Sequence, residues 1–219
     1  MTLAPRRGLF ILLEGCDRTG KTTQVALLKE ALSKLEHPVT SKRFPDRSTT
    51  VGKAIDGYLS SALNLEDRAI HLLFSANRWE AVQEMKRTLM EGTHIIVDRY
   101  SASGIAYSVA KGLPLDWCRD PDRGLLRPDL VLLLDQPISI AANRDGWGEE
   151  RYERVDFQER VRSCFHDLST HQDWKLIEAA RDIPTVHTDI LRHVQEAIQR
   201  SSDPGPLSFD LWQPASKGK

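Results

Sequence analysis

The sequence predicts a doubly wound α/β domain built on a five-stranded parallel sheet flanked by helices. Three observations carry that prediction. Short apolar runs alternate with longer helix-compatible segments, three of those runs are apolar on consecutive positions, and a glycine-rich phosphate-binding pattern follows the first run directly. Alternation of this kind reads as successive βαβ units. Strands apolar at every position belong in a parallel sheet covered on both faces, because no face is left for polar residues.

The elements follow in order. Residues 9–13 (Leu-Phe-Ile-Leu-Leu) form the first strand, and the helix at 21–35 opens directly after the phosphate-binding turn. The second strand, 39–44, precedes helical stretches at 50–60 and 66–91. The third, 94–97, leads into 101–111, and the fourth, 130–134, into 138–144 and 155–171. Residues 174–177 supply the last strand and 184–200 the last helix. No repeat or Gly/Ser linker divides the interior, so residues 1–212 read as one domain and 213–219 as a loose tail, with Leu211 and Trp212 able to dock onto the body. In such sheets ligands bind beyond the carboxyl ends of the strands, which makes the residues after each run the candidates for a site.

Composition narrows the function. The chain has 219 residues, 28% charged and 40% hydrophobic, with a formal net charge of −1. A length of this order buries roughly 70% of the unfolded surface and needs no disulfide or metal staple. The three cysteines, Cys16, Cys118 and Cys164, are odd in number and far apart, which fits a reducing compartment. No apolar run approaches the roughly 20 residues of a membrane span, and residues 1–8 are too short for a leader. A cytoplasmic location is expected, with the nucleus as a second one, and no membrane contact. Near-neutrality argues against a protein that coats a nucleic acid polymer. Yet 20 of the 30 basic residues are Arg, the side chain whose rigid fork matches phosphate oxygens.

Residues 15–22 read Gly-Cys-Asp-Arg-Thr-Gly-Lys-Thr, a full match to G-x-x-x-x-G-K-[ST] between a strand and a helix. The glycines let backbone N–H groups converge, Lys21 reaches the β- and γ-phosphates, and Thr22 can ligate Mg²⁺. With Arg18, Thr19, Gly20 and Thr23 these residues form a candidate ATP site. The loop serves switches, helicases and transporters as well as kinases, so the acceptor has to be found elsewhere.

Phe44-Pro45-Asp46-Arg47 follows the second strand, and Asp98-Arg99-Tyr100 the third. Each places an arginine at a strand's carboxyl end. Arg18 in the loop and Arg78 bring the expected guanidinium groups to four. Asp98 has the form of a carboxylate that holds Mg²⁺ directly or through water.

These residues resemble thymidylate kinases of the eukaryotic and poxviral type over nearly the whole chain. The most specific stretches are the phosphate loop with Asp17-Arg18, Phe-Pro-Asp-Arg-Ser-Thr at 44–49, His-Leu-Leu-Phe-Ser-Ala-Asn-Arg-Trp-Glu at 71–80, and Val-Asp-Arg-Tyr at 97–100. Glu-Arg-Tyr-Glu at 150–153 and the terminal Leu211-Trp212 support it. The resemblance implies a P-loop nucleoside monophosphate kinase fold, transfer of the ATP γ-phosphate to dTMP with Mg²⁺, and a homodimer formed through the long helix. It implies that Arg47 and Arg99 hold the acceptor phosphate, that Phe74 stacks on thymine and that Arg78 meets the base edge. Asp17 is then expected on the sugar 3′-hydroxyl and Tyr107 at the 2′ position, where some relatives carry Phe. Phe44, Leu59, Gly104, Tyr152 and Gln158 complete the dTMP pocket. Residues 143–153 resemble the lid, with Arg144 near adenine and Arg18, rather than a lid residue, bridging the phosphates.

The chemistry agrees with that assignment. A phosphate monoester, with a second pKa of about 6, is already mostly ionised at neutral pH, so no general base is required. Catalysis reduces to aligning two charged phosphates and neutralising the group in flight, work for Lys21, Arg18, Arg99 and the Asp98-held metal. Two alternatives differ in the residues they need. A kinase of another nucleotide would share this phosphate chemistry, a deoxynucleoside kinase would need a carboxylate base such as Asp46 for its hydroxyl acceptor, and an inactive nucleotide-binding module would not need Lys21, Thr22, Arg18 and Asp98 together. Cys164, His166 and His171 do not complete a metal site, His71 reads as packing, and a lid position would expose Trp147. Cys16 sits where a helix N-terminus could lower its pKa.

Overall fold

The structure is a computed structural model that describes residues 7–170, 174–200 and 205–213. Five parallel strands, β1 (Phe10–Glu14), β2 (Val39–Arg43), β3 (His94–Asp98), β4 (Leu130–Asp135) and β5 (Lys175–Glu178), form one sheet in the order β2-β3-β1-β4-β5. Side chains alternate across β1. Leu9, Ile11 and Leu13 pack under α1 (Lys21–Lys34) and α8 (Ile183–Arg200), while Phe10 and Leu12 face α3 (Asp67–Met90) on the other side. This two-sided burial is why the runs in β1, β3 and β4 carry almost no polar residues.

A third apolar cluster sits beyond the strand ends. It joins α2 (Thr50–Leu59), α3, α4 (Ser101–Val109) and α7 (Val155–Thr170) through Ile55, Ile70, Ile105 and Phe165. Helix α3 starts where expected because the Glu66 side chain accepts from the N–H groups of Arg68 and Ala69, satisfying donors a helix start leaves unpaired. Every predicted element is present within a few residues. Two were not anticipated: α5 (Leu115–Arg119) and a 3₁₀ turn at Asp120–Asp122. At five residues and three, they carry no readable periodicity. The α6 segment (Ile138–Ala141) is shorter than expected.

The topology places the site. After β1 the chain crosses to the β2 edge, whereas after β3 it crosses β1 to reach β4. Neighbouring strands whose connections depart in opposite directions open a crevice at their carboxyl ends. The register Leu13↔Asp98 puts the loop after β1 beside Asp98 and Arg99 in that crevice. At the far end of the chain Leu211 packs on the α3 side of the sheet, and the Trp212 indole donates to Ser101 Oγ at 2.6 Å. Residues 214–219 of the expected loose tail, and His171, lie outside the described residues.

Candidate active site

The phosphate loop is shaped by backbone that few side chains accept. Gly15 has φ 143°, and a Cβ there would lie 2.4 Å from the Leu134 carbonyl oxygen. Gly20, with φ 92°, starts α1 in the left-handed region. Arg18 and Arg99 are two non-glycine residues that also hold positive φ, 60° and 66°. Such conformations persist only where the surroundings over-determine them. For Arg99 the restraint is visible: its guanidinium donates to the Gly15 carbonyl at 2.9 Å, to Ser103 Oγ at 3.2 Å and to Asp17 Oδ1 at 2.5 Å.

Lys21 is buried, with its ammonium 2.5 Å from the Cys16 carbonyl oxygen and 3.2 Å from Thr19 Oγ1. Thr22 donates to Asp98 Oδ2 at 2.6 Å. The other Asp98 oxygen is buried with no hydrogen-bond donor. A carboxylate held on one side and open on the other, next to a hydroxyl and a phosphate cradle, fits a hard cation such as Mg²⁺.

Two cavities meet at this point. One is lined by the phosphate loop, Asp98, Arg144 and the acidic residues Asp145, Glu149, Glu150 and Glu153. The other is lined by Phe44, Arg47, Leu59, Phe74, Arg78, Gly104, Tyr107 and Tyr152. Asp17, Arg43, Arg99 and Glu150 line both. At the floor of the second cavity Arg78 and Asp122 form an ion pair at 2.7 Å, 2% and 0% exposed. Gly104 permits it, since a Cβ there would come within 2.9 Å of the guanidinium.

A family model described as thymidylate kinase matches residues 13–190. The chain is 46% identical over 214 residues to the thymidylate kinase of Homo sapiens, covering 96% of this chain and all of that one. It is 48% identical over 206 residues to the one from Arabidopsis thaliana, covering 94% and 78%. The solved structure of thymidylate kinase from Candida albicans superposes with a TM-score of 0.82 at 38% identity, covering 89% of this chain and 94% of that one. The chain belongs to the thymidylate kinase family.

Within this thymidylate kinase scaffold the expected site residues come together with two exceptions of placement. Gln158 lies behind the cavity wall, where its amide nitrogen donates to Asp17 Oδ2 at 2.6 Å and contacts the Tyr107 hydroxyl at 3.4 Å. Thr19 is turned inward onto the Cys16 carbonyl at 3.1 Å. Of the four expected arginines, Arg47, Arg78 and Arg99 line the second cavity, Arg18 and Arg99 the first, so Arg99 is the one common to both.

What the sequence reading missed is the set of carboxylates that hold these arginines. Glu153 accepts from Arg18 Nε at 2.7 Å and from the N–H groups of Gly148, Glu149 and Glu150. Arg18 also donates to the Asp145 and Gly146 carbonyls, which ties the segment 145–153 to the phosphate loop. Glu150 and Asp56 hold Arg47 at 2.6 and 2.7 Å. Glu14, fully buried, accepts from the N–H groups of Tyr100 and Ser103 and from Ser103 Oγ, and burial raises its pKa. The Glu-Arg-Tyr-Glu motif at 150–153 was the signal for two of them.

Other expectations are corrected. Burial pushes the Cys16 thiol up to about 12, the reverse of activation by the helix end. Trp147 is half-buried against the α7 cluster instead of exposed. Asp46 is a poor base: its carboxylate accepts from the Ser48 hydroxyl and N–H, which lowers its pKa, and it lines neither cavity. His71 is buried between Ser108 and the Cys118 carbonyl, as packing requires.

Burial, with Arg99 nearby, brings the Lys21 ammonium down to about 8. A bound phosphate restores the charged form, so nucleotide binding above that value takes up a proton and weakens as pH rises. Calorimetry of ADP binding at about pH 8.5, in two buffers of different ionisation enthalpy, is expected to show uptake that Lys21→Met abolishes. Identical heats in both buffers would exclude it.

Proposed function

We infer that the protein transfers the γ-phosphate of ATP to dTMP, giving dTDP and ADP, a step toward dTTP. The observation that best supports this is the acceptor cavity. Half-buried Phe74, an arginine-carboxylate floor at Arg78 and Arg47 at the rim offer one wall for a base, one polar group for its edge and one cation for a phosphate. That cavity opens directly onto the phosphate loop.

In this reading Arg18, Thr19, Gly20, Lys21, Thr22, Thr23 and Arg144 bind ATP. Asp17, Phe44, Arg47, Leu59, Phe74, Arg78, Arg99, Gly104, Tyr107, Tyr152 and Gln158 bind or shape the site for dTMP. Asp17, held by Arg99 and Gln158, receives the sugar hydroxyl, and Tyr107 crowds the 2′ position. Thr22 and Asp98 would hold Mg²⁺, which when bound neutralises charge on the phosphate oxygens. Lys21 and Arg18 supply the remaining positive charge, Arg18 arriving with the lid. Substrate phosphates must take Arg18 from Glu153 and Arg47 from Glu150, so binding and lid rearrangement are one exchange of anions.

Residues 1–212 act as a single catalytic unit with a lid at about 143–153. Leu72, Trp79 and Met90 form an exposed stripe along one side of α3, since positions spaced by 7 and 11 fall on one helix face. That stripe suits a homodimer, and a monomeric mass in sedimentation would refute it. A coupled assay over monophosphates and nucleosides tests the activity. dTMP is expected as the preferred substrate and dUMP, lacking the methyl group, as a weaker one. Preference for thymidine over dTMP would overturn the reading.

A further inference from the structure

We propose that Arg43 is a phosphate-contacting residue at the junction of the two nucleotide cavities, engaged when donor and acceptor are both present. The inference rests on the kinase reading above. Arg43 ends β2 in register with Asp98, so its side chain leaves the sheet at the carboxyl edge beside the phosphate loop. It is one of four residues lining both cavities. Two of those, Asp17 and Glu150, are anionic and repel phosphate. The third, Arg99, already donates to Gly15, Ser103 and Asp17.

Arg43 differs from four of the other site arginines in what it holds. Arg18, Arg47, Arg78 and Arg99 each have a carboxylate partner within 2.7 Å. The Arg43 guanidinium reaches Asp98 only loosely, Nε to Oδ2 at 3.9 Å, and the side chain is 58% exposed. It can therefore take up a phosphate oxygen without first breaking a close ion pair. Charge-assisted donation from a guanidinium to phosphate is among the stronger hydrogen bonds available, and planar two-point contact suits it to bridge oxygens of adjacent groups. When ATP and dTMP lie end to end, their charge is densest at this junction. A flexible cation there attenuates the repulsion that opposes the ternary complex.

The test separates a bridging contact from a surface arginine. The probe is a dinucleoside pentaphosphate joining adenosine to thymidine, which spans both cavities, measured by calorimetry beside ADP alone and dTMP alone. Arg43→Ala is expected to weaken the joined ligand about tenfold or more while each single nucleotide loses less than about threefold, with kcat falling about tenfold. Arg43→Lys, which keeps the charge but not the fork, is expected to recover part of that loss. Equal losses for the joined and the single ligands, or no loss for any, would overturn the inference. A wild-type chain that fails to phosphorylate dTMP in the same preparation would overturn the kinase reading beneath it.

Discussion

Arg18→Ala is expected to lower kcat about 1000-fold, equivalent to about 4 kcal/mol of transition-state stabilisation, with KM for dTMP changed less than about fivefold. The expectation comes from where the guanidinium is held. Arg18 stands on the phosphate loop with a left-handed backbone, and its donors go to Glu153 and to the Asp145 and Gly146 carbonyls. Glu153 and Glu149 raise its pKa, so it stays charged at any working pH. A cation supported in this way beside the phosphate loop is expected to meet the transferring group there, its contact strengthening as charge develops. Steady-state kinetics would check it. An intact kcat with loss confined to substrate binding would remove Arg18 from the chemistry.

Asp122→Ala is expected to destabilise the fold by about 3–5 kcal/mol, because it leaves Arg78 charged and unpaired in the interior. Asp122 is fully buried and accepts from Arg78, from Ser75 Oγ at 2.6 Å and from Ser101 Oγ, which in turn accepts from Trp212. The C-terminal segment and the floor of the acceptor cavity thus share one hydrogen-bond chain. Thermal melting should fall by roughly 10 °C for a chain of this size. The double variant Arg78→Met with Asp122→Leu should regain much of that stability, since no orphaned charge remains, yet keep a raised KM for dTMP. A single variant melting within about 1 °C of wild type would show that water or another cation compensates.

The strands and the long helices were legible because their signals are local. A continuous apolar run or a 3.6-residue period needs no distant partner to be read. The phosphate loop was legible for the same reason: its glycines, Lys21 and Thr22 lie within eight consecutive positions. The α5 segment and the turn carrying Asp122 were not, since five residues and three give no period. Nor could spacing show that Glu150 would reach Arg47, 103 positions away, or that Glu153 would reach Arg18, 135 positions away. Gln158 and Thr19 illustrate a further limit. Both belong to site stretches, but which way each side chain turns depends on the wall packed behind it.

By itself, the sequence determined the fold class, the nucleotide loop and the basic character of the site, each written in contiguous residues. Tertiary structure alone decided which arginines are already held and by what. Arg78 became a buried floor group, Arg18 and Arg47 became cations held by Glu153 and by Asp56 with Glu150, and Arg43 was left 3.9 Å from Asp98. The physical reason is that an ion pair depends on separation in space and on local burial. Neither is encoded at one position of a chain whose net charge averages to −1.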